Sequence, residues 1–238
     1  MVTPLAALIF DVDGTLAETE EAHRLAFNQA FADFDLPWSW DQALYADLLK
    51  VAGGRERIGA FARRFDPDRI DERFDDLVAA LHRHKTRLYT ERVAGGAVAL
   101  RPGIARLIDE ARTDGLRLAV ATTTSRANVT ALLDGATGGV GHEWFETLAC
   151  GEDAPVKKPD PSVYRVALER LGLPAASCLA IEDSTNGIRA ARGAGIPVIA
   201  VKSVYTAGDD LSGAVAIFDD LGTTDLGALK TLHQRHPG

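Results

Sequence analysis

The sequence predicts an α/β protein in which helices cover both faces of an open parallel sheet and an all-helical segment is inserted after the first strand. Short apolar runs alternate with amphipathic helical segments from about residue 103 onwards, which is the pattern of a parallel sheet with right-handed crossovers. Between Glu18 and Arg92, in contrast, apolar residues follow helical spacing without a β-branched apolar run. We therefore predict a Rossmann-like three-layer core at 1–17 and 93–238, with a helical cap domain at 18–92.

The predicted elements follow from local sequence in chain order. Residues 5–10 form a continuous apolar run, which is typical of a strand buried on both faces. The cap segment is interrupted at Pro37, Gly53-Gly54 and Pro67, which predicts four or five helices. After a glycine-rich linker, the core is predicted to contain helices at 104–112, 128–133, 161–171, 184–192 and 225–232 and strands at 116–121, 146–150, 177–181, 196–201 and 215–218.

Composition narrows the classes of function. The chain has 238 residues, of which 46% are hydrophobic and 25% charged, as is ordinary for a globular protein with a substantial core. A net charge of −8 argues against general nucleic-acid binding, which needs a basic face. No apolar run approaches the roughly 20 residues that span a bilayer, and the amino terminus lacks the pattern of a signal peptide. We therefore expect a cytoplasmic protein, with Cys150 and Cys178 as buried free thiols and His142, His233 and His236 at the surface.

The first candidate site directly follows the first strand. Asp11 and Asp13 are separated by one residue, so alternation along the strand sends both carboxylates in the same direction. Gly14 then permits a sharp exit from the sheet. Two like charges that close repel each other unless a cation lies between them or one is protonated. A solvated Asp-x-Asp-Gly turn would have the same local sequence, and three further motifs argue against that interpretation.

These three motifs fall at the ends of other predicted elements of the core. Residues 122–125 place four hydroxyl side chains where a buried strand runs into a helix, which suits an anion cradle or a simple helix N-cap. The run Lys157-Lys158-Pro159 has a restricted backbone that can aim a lysine at a neighbouring site. The pair Glu182-Asp183 ends another buried strand. Together the four motifs predict a site for a divalent cation and a phosphate at the carboxyl edge of the sheet.

In their order and placement, the four motifs resemble those of the haloacid-dehalogenase superfamily of phosphotransferases. The matching residues are Asp11-Val12-Asp13-Gly14-Thr15, Thr122, Lys158-Pro159-Asp160-Pro161 and Glu182-Asp183, and the helical insertion resembles the type-one cap of that superfamily. Within the superfamily, the chain is most similar to the CbbY-type xylulose-1,5-bisphosphate phosphatases linked to carbon fixation in the Calvin cycle, which are relatives of β-phosphoglucomutase. The acid at Asp13 argues against the dehalogenases, which have no alkoxide to protonate.

The chemistry of the motifs suggests a nucleophile and a metal centre. An ionised carboxylate can attack phosphorus without a base, so Asp11 is the candidate nucleophile and would form an aspartyl-phosphate. Mg²⁺ is the expected cofactor, because it prefers hard oxygen ligands and removes the repulsion between two anions. The predicted ligands are Asp11, Asp183 and, as the resemblance implies, the backbone carbonyl of Asp13. Glu182 completes the acidic set and is expected to orient water or Lys158 beside the metal.

The remaining catalytic candidates handle charge and protons. Thr122 and Lys158 would hold the other phosphoryl oxygens, where charge builds up during transfer. Asp13 would protonate the leaving alkoxide and later deprotonate the attacking water. This role requires that the pKa of Asp13 be raised towards the working pH, which we expect from burial under the cap and from the nearby Asp11.

Substrate recognition is expected from the cap and from the hydroxyl motif. By resemblance to β-phosphoglucomutase, Glu18, Thr19 and His23 follow the first motif at the spacing of hinge and substrate-contact residues. Residues 50–55 resemble the substrate-specificity loop of that enzyme, where an arginine binds the phosphate that is not transferred. A bidentate Arg55 guanidinium suits that second phosphate. Arg83 or Lys85 is the candidate for a further cap cation that binds the substrate. Alternatively, residues 83–85 belong only to a solvated helix face. The predicted substrate-binding residues are Glu18, His23, Lys50, Arg55, Arg83, Lys85, Thr123 and Thr124.

The sequence therefore favours a Mg²⁺-dependent phosphatase that acts on a sugar bisphosphate, above all on xylulose 1,5-bisphosphate to give xylulose 5-phosphate. The expected partner is this small molecule, with no nucleic acid, no membrane and a monomeric chain. A phosphomutase of the β-phosphoglucomutase type is the first alternative, although Thr15 stands where the mutase typically has valine. A receiver-type module that only accepts phosphate is the second alternative, and it leaves the cap unexplained.

Overall fold

A computed structural model describes residues 3–236 of the chain. Its strands form one parallel sheet with the order β3-β2-β1-β4-β5-β6. This is the Rossmann order, in which the direction of winding reverses between β1 and β4 and opens a crevice at the carboxyl ends of the strands. The strands are β1 Ala7–Phe10, β2 Arg117–Ala121, β3 Thr147–Ala149, β4 Cys178–Glu182, β5 Val198–Val201 and β6 Ala216–Phe218.

Helices fill the cap segment and cover the sheet, which confirms the predicted fold class. Four of them lie between β1 and β2 in the inserted segment, in agreement with the predicted four or five. Each helix predicted in the core is present, with ends that differ from the prediction by up to four residues at α6. The helices are α1 Glu20–Asp33, α2 Gln42–Leu48, α3 Gly54–Phe65, α4 Phe74–Ala94, α5 Ile104–Thr113, α6 Arg126–Thr137, α7 Ser162–Leu171, α8 Thr185–Gly193 and α9 Leu226–Arg235.

The register of the central strands places their carboxyl ends side by side. Phe10 at the end of β1 lies opposite Val120 of β2 and Ile181 of β4. The residues that follow these three positions therefore leave the sheet at one edge. Apolar side chains alternate between the two faces of the sheet and form a hydrophobic cluster on each, so the strands are buried on both sides.

A third hydrophobic cluster lies among the inserted helices and is rich in aromatic side chains, including Phe31, Trp40 and Tyr45. Helices α1 and α4 join this cluster to the sheet. The first turns of α1 and the last turns of α4 pack into one of the sheet clusters, and their other halves pack into the cap cluster. The predicted boundary at 92/93 thus falls inside α4, and the division into two domains stays a prediction.

Helix α4 also packs closely against α6 of the core. Gly135 of α6 faces the backbone of α4, and a Cβ atom at this position would lie 2.2 Å from the carbonyl oxygen of Val93. Only glycine therefore permits this approach of the two helices. The close contact fixes the carboxyl end of α4 to a helix that covers the sheet.

The cysteine predictions are confirmed, and one histidine prediction is wrong. Cys150 and Cys178 are buried and free. His236 is exposed, but His233 is only 1% exposed, because it lies one turn from Leu229 on the inner face of α9. Helical spacing from Leu229 would have indicated this burial.

No helix within residues 3–236 combines the length and the apolar character that crossing a membrane requires. The cytoplasmic location stays a prediction. The prediction that the chain lacks a signal peptide rests partly on Met1 and Val2, which lie outside the described residues.

Candidate active site

Three buried carboxylates meet at the carboxyl edge of β1 and β4. Asp11 follows β1, Glu182 ends β4 and Asp183 follows it. Each offers an oxygen within 4.8 Å of the other two, and none of the three residues is more than 7% exposed. Because ionised carboxylates repel each other at this separation, the cluster requires a positive charge close by.

Lys158 supplies one positive charge to this cluster. Its Nζ lies 2.6 Å from Asp11 Oδ1, 2.6 Å from Glu182 Oε1 and 2.9 Å from the carbonyl oxygen of Ala121. These contacts use all three N–H groups of the ammonium, so its position is fixed. Burial lowers the pKa of Lys158, but the charges of Asp11 and Glu182 outweigh it and raise the pKa above its ordinary value. The adjacent Lys157 donates instead to a backbone carbonyl at the edge of the cleft.

Glu182 is the most enclosed of the three acids, with no exposed surface. Its Oε1 accepts hydrogen bonds from Lys158 and, at 2.6 Å, from the hydroxyl of Tyr164. Its Oε2 has no hydrogen-bond partner among residues 3–236. A Cβ atom on Gly187 would lie 1.9 Å from this oxygen, so the glycine in α8 makes room for the carboxylate. This geometry makes Glu182 an orienting partner of Lys158.

Burial shifts the protonation of the other two acids. It raises the pKa of Asp11 well above its ordinary value despite the nearby Lys158, and the charge of Glu182 adds to the rise. Burial likewise raises the pKa of Asp183, together with the charges of Asp11 and Glu182, while a hydrogen bond from Thr206 opposes the rise. A single ammonium therefore does not neutralise the cluster, which favours the binding of a further cation.

The donor set fits a divalent cation of the Mg²⁺ or Ca²⁺ type, because every candidate ligand is a hard oxygen. Gly14 borders the space beside Asp183: a Cβ atom there would lie 2.1 Å from Asp183 Oδ2. The φ angle of Gly14 is +83°, which also favours glycine. The third predicted ligand, the backbone carbonyl of Asp13, directly precedes this glycine. Asp11, Glu182 and Asp183 thus form a candidate metal centre.

The hydroxyl motif after β2 lines the same cleft as the acids. Thr122 is 1% exposed, and its Oγ1 accepts a hydrogen bond of 3.2 Å from the backbone N–H of Thr124. Ser125 caps α6, so the simple N-cap interpretation is correct for this residue. Asn128, which was not predicted, donates a 2.9 Å hydrogen bond to Thr124 Oγ1. The motif therefore combines a helix cap with a row of hydroxyl groups at the cleft.

Asp13 is held by residues at the start of the cap. Thr19 donates a short hydrogen bond to Asp13 Oδ1, and His23 Nε2 lies 3.0 Å from the same oxygen. Lys85 Nζ lies 2.5 Å from His23 Nδ1. Since an ionised carboxylate can only accept, the contact with Asp13 places a proton of the His23 ring on Nε2. Asp13 thus accepts two hydrogen bonds at one oxygen.

The pKa of Asp13 differs from the sequence prediction. Burial raises the pKa, but the charge and hydrogen bond of His23 and the hydrogen bond of Thr19 outweigh it and lower the pKa to about 2. The expected rise is therefore wrong for this arrangement, because the prediction considered burial and Asp11 but not the partners from the cap. Asp13 is an ionised acceptor in this geometry.

A cleft of 950 Å³ between the sheet edge and the cap brings most predicted site residues together. Two predicted residues do not line it. Glu182 lies behind Lys158, and Glu18 points away from the cleft to Arg101, at 2.9 Å, and to Ser203. The predicted residues that line the cleft are Asp11, Asp13, His23, Lys50, Arg55, Arg83, Lys85, Thr122, Thr123, Thr124, Lys158 and Asp183.

The predicted cap cations differ in their surroundings. Lys50 is exposed and pairs with Asp47 at 2.7 Å. Arg55 and Arg83 are exposed at the cleft. Lys85 is only 4% exposed, and burial lowers its pKa to about 7. The exposed arginines keep their hydration, whereas the charge of Lys85 can be stabilised only by its protein neighbours.

Several polar residues at the site were missed by sequence analysis. Arg57 lies buried on α3 and lines the cleft, and Tyr164 of α7 contacts Glu182. Tyr205 and Thr206 follow β5 and reach Glu21 and Asp183, respectively. Arg57 and Tyr164 lie on helix faces whose apolar spacing is visible in the sequence, so that spacing was the available signal. The loop after β5 has no comparable signal.

The position of this cleft defines the class of protein. Carboxylate, lysine and hydroxyl groups converge beyond the strand ends, at the point where the direction of winding reverses. The helices inserted after β1 cover these groups. This is the arrangement of a capped α/β enzyme that acts on phosphate compounds. The chain belongs to the haloacid dehalogenase-like hydrolases, whose family model matches residues 5–195. It is a phosphatase of this family, related to the CbbY proteins.

The comparisons with individual proteins agree with this assignment. The chain is 51% identical over 219 residues to the plasmid-encoded protein CbbY of Cupriavidus necator, covering 92% of this chain and 86% of that protein. It is 44% identical to a mutant of CbbY from Rhodobacter sphaeroides crystallised with xylulose-(1,5)bisphosphate, with a TM-score of 0.88 over 94% of this chain and 99% of that one. β-Phosphoglucomutase from Clostridium difficile has a TM-score of 0.79 at 18% identity, covering 97% of this chain and 98% of that one, and so shares the fold alone.

Proposed function

We propose that the chain is a Mg²⁺-dependent phosphatase that hydrolyses xylulose 1,5-bisphosphate to xylulose 5-phosphate. The observation that carries the proposal is the contact between Lys158 and Asp11 inside a buried acid cluster, at a cleft whose cap side carries several cations. The choice of substrate is supported by the similarity to the CbbY mutant that was crystallised with xylulose-(1,5)bisphosphate.

Asp11 is the proposed nucleophile. Lys158 holds its Oδ1, which leaves Oδ2 to attack phosphorus. As the new P–O bond forms, the bond from phosphorus to the sugar oxygen breaks and gives an aspartyl-phosphate and a sugar alkoxide. Water, which gives its proton to Asp13, then attacks phosphorus, and the bond between phosphorus and Asp11 Oδ2 breaks, so inorganic phosphate is released and the Asp11 carboxylate is regenerated. Lys158 and Thr122 would stabilise the phosphoryl oxygens during both steps.

Mg²⁺ would be held by Asp11 and Asp183, with Glu182 and the carbonyl of Asp13 as the other predicted oxygen donors. When bound, the ion supplies positive charge between the phosphate and the carboxylates. Thr206 orients Asp183 through a 2.9 Å hydrogen bond, and Gly14 keeps the space beside this carboxylate open. The arrangement therefore lets an anionic nucleophile approach an anionic substrate.

Asp13 is the proposed acid and base. In the arrangement described here it is ionised and is suited to accept a proton from water. To donate a proton to the sugar alkoxide, its pKa must rise, which requires that the hydrogen bonds from Thr19 and His23 be given up. We propose that movement of the cap over bound substrate breaks these contacts, because both donors belong to the cap segment.

The cap cations supply the second part of substrate recognition. Arg55 and Arg83 are exposed at the cleft and lie on different cap helices. A guanidinium group can contact two oxygens of one phosphate, so Arg55 is proposed to bind the phosphate that is not transferred. The hydroxyl groups of Thr123 and Thr124 are proposed to contact the sugar.

The proposal is tested by phosphate release from a panel of ketose and aldose monophosphates and bisphosphates, with and without Mg²⁺. We expect rapid Mg²⁺-dependent release from xylulose 1,5-bisphosphate and slow release from monophosphates. Interconversion of hexose phosphates without release would instead indicate a mutase. The same preparation would show by light scattering whether the chain is the monomer that we propose.

A further inference from the structure

Asn128 is a buried residue at the cleft whose side chain uses only part of its hydrogen-bonding capacity. It lies in the first turn of α6, is 3% exposed and lines the cleft. Its Nδ2 donates to Thr124 Oγ1 at 2.9 Å, but its Oδ1 has no hydrogen-bond partner among residues 3–236. An unpaired buried oxygen lowers stability, and an apolar side chain of similar shape would avoid this cost. Stability therefore does not account for the carboxamide, and its contact with Thr124 is the alternative.

The backbone of Thr124 is fixed on two sides. Its N–H donates to Thr122 Oγ1 at 3.2 Å, and its carbonyl oxygen accepts a 2.8 Å hydrogen bond from the N–H of Gly151. Gly151 packs closely here, because a Cβ atom on it would lie 2.4 Å from the carbonyl oxygen of Thr123. These contacts leave the Thr124 side chain free to rotate about its Cα–Cβ bond. The hydrogen bond from Asn128 removes this freedom and fixes the position of the hydroxyl oxygen.

The direction of the hydrogen bonds determines what the two threonines can offer a ligand. A hydroxyl group has one proton to donate and two lone pairs that accept. Thr122 Oγ1 accepts from a backbone N–H and Thr124 Oγ1 accepts from Asn128, so neither contact uses the hydroxyl proton. No residue in the described part of the chain accepts a hydrogen bond from the Thr124 hydroxyl. Its proton is therefore available to an oxygen atom of a ligand in the cleft.

Thr122 and Thr124 lie at different depths in the cleft. Thr122 is 1% exposed and follows Ala121, whose carbonyl oxygen contacts Lys158 of the acid cluster. Thr124 is half-buried and lies two residues further from the end of β2. Because the transferred phosphate is proposed to lie at Thr122 and Lys158, the Thr124 hydroxyl is suited to the sugar beyond that phosphate.

We infer that Asn128 is a positioning residue for substrate recognition, which orients Thr124 so that the threonine hydroxyl donates a hydrogen bond to a sugar oxygen. The inference rests on the proposed function, which assigns Thr124 to the sugar. Asn128 acts through Thr124 and does not itself contact the substrate. A hydroxyl group that is already oriented loses less entropy when the sugar binds, so the effect of Asn128 lies in substrate affinity.

The test compares Asn128→Leu with wild-type enzyme in the hydrolysis of xylulose 1,5-bisphosphate. We expect KM to rise about fivefold, as for the loss of one hydrogen bond, and kcat to stay within about twofold of wild type. The inhibition constant of inorganic phosphate, which lacks the sugar, should also stay within about twofold. A general disturbance of α6 would instead change the affinity for both compounds, because the same helix follows Thr122.

Asn28→Leu is the matched control for stability. Asn28 of α1 uses both ends of its carboxamide, since it donates to the carbonyl oxygen of Trp40 at 2.9 Å and accepts from the N–H of Trp40 at 2.8 Å. Asn28→Leu should lower Tm by at least about 3 °C and leave KM unchanged. Asn128→Leu should keep Tm within about 2 °C of wild type. Circular dichroism during heating measures both values.

Two further variants test whether Asn128 acts through Thr124. Thr124→Val removes the hydroxyl, and adding Asn128→Leu to it should raise KM no further, because the two residues serve one interaction. Asn128→Asp keeps the shape of the side chain but replaces the donor Nδ2 by an oxygen, which can only accept when ionised. Asn128→Asp should therefore raise KM, and by a larger factor in wild type than in Thr124→Val.

The outcomes distinguish this inference from the proposed function. The inference is overturned if Asn128→Leu leaves KM unchanged, weakens inhibition by phosphate equally, or multiplies its effect with that of Thr124→Val. It is also overturned if Asn128→Asp has the KM of wild type. Hydrolysis of the bisphosphate by wild-type enzyme would still support the proposed function in these cases. If wild-type enzyme does not hydrolyse the bisphosphate, both proposals are overturned.

Discussion

Lys158 Nζ lies 2.6 Å from Asp11 Oδ1, so the candidate phosphate-binding cation and the candidate nucleophile are in direct contact. The contact orients Asp11, and no residue within the described part of the chain forms a hydrogen bond with its second oxygen. It also means that one ammonium is shared between Asp11 and Glu182. Both the reactivity and the stability of the site should therefore depend on this pair.

Asp11→Asn should abolish turnover without destabilising the fold. The amide is not a nucleophile towards phosphorus, and we expect kcat to fall at least about 1,000-fold. Burial raises the pKa of Asp11, so a neutral side chain at this position relieves repulsion within the cluster. Phosphate release and thermal unfolding in metal-free buffer measure the two effects, with the exposed Asp109→Asn as control. Near-normal activity would exclude the aspartyl-phosphate mechanism.

Lys158→Met should be strongly destabilising in metal-free buffer. The variant leaves the buried carboxylates of Asp11 and Glu182 without their ammonium partner, for which we expect a loss of roughly 3 kcal/mol in the free energy of unfolding. Lys157→Met is the matched control, because Lys157 donates only to a backbone carbonyl, and it should stay within about 0.5 kcal/mol of wild type. Urea unfolding with EDTA measures both. Equal losses in the two variants would contradict the importance of the Lys158 pair.

Mg²⁺ should stabilise the folded chain, and more strongly at higher pH. Burial raises the pKa of Asp11 and Asp183, so without metal their contribution to stability is lost as the pH rises and they ionise in the folded state. A divalent cation reverses this cost, and bound metal competes with protons for the same oxygens. The increase in Tm on adding Mg²⁺ should therefore grow between about pH 5 and about pH 8. A constant or shrinking increase would argue against metal binding at this cluster.

Lys85 should make stability rise with pH above neutrality. Burial lowers the pKa of Lys85 to about 7 in the folded state, so above that pH the unfolded chain binds a proton that the folded chain lacks. Stability relative to Lys85→Met should then increase from about pH 7 to about pH 10, by at most about 1.4 kcal/mol per pH unit. Urea unfolding across this range measures the difference, with exposed Lys50→Met as control. A flat difference would show that Lys85 titrates normally.

Gly135→Ala should destabilise the protein although alanine is the better helix former. The new Cβ would lie 2.2 Å from the carbonyl oxygen of Val93 and would push α4 away from α6. We expect a loss of about 1–3 kcal/mol, against a gain of up to about 1 kcal/mol from helix propensity. Gly95→Ala is the control, since no atom lies within 4 Å of its added Cβ. A stabilised Gly135→Ala variant would mean that the two helices separate without cost.

Much of the fold and the centre of the site could be predicted from the sequence because they depend on local patterns and on parallel register. Asp11, Thr122 and Asp183 each follow an apolar strand, and strands of one parallel sheet end at one edge. Lys158 lies beside a proline that restricts its backbone. These residues could be placed together without knowledge of side-chain contacts.

The remaining residues depend on contacts between distant elements. The low pKa of Asp13 comes from His23 and Thr19, whose approach depends on the orientation of the cap. Glu18 was expected at the substrate, but the structure pairs it with Arg101, far along the chain. Arg57 lies on the buried face that the apolar spacing of α3 indicates, but its contacts with Tyr45 and Leu48 depend on how α2 packs against α3. Spacing alone cannot decide between such alternatives.

The way in which α1 and α4 are shared between the cap and the sheet bears on the construction of chimaeric enzymes. Side chains before Phe27 in α1, and those from Tyr89 onwards in α4, contribute to the cluster beside the sheet. The side chains between Phe27 and Leu81 form the separate aromatic cluster. The unit that can be exchanged for a new specificity is therefore smaller than the inserted segment. A donor sequence spliced between these two points would keep both helical stems, whereas a transplant of residues 18–92 would also replace Ala22, Ala26 and Tyr89, which pack beside the sheet.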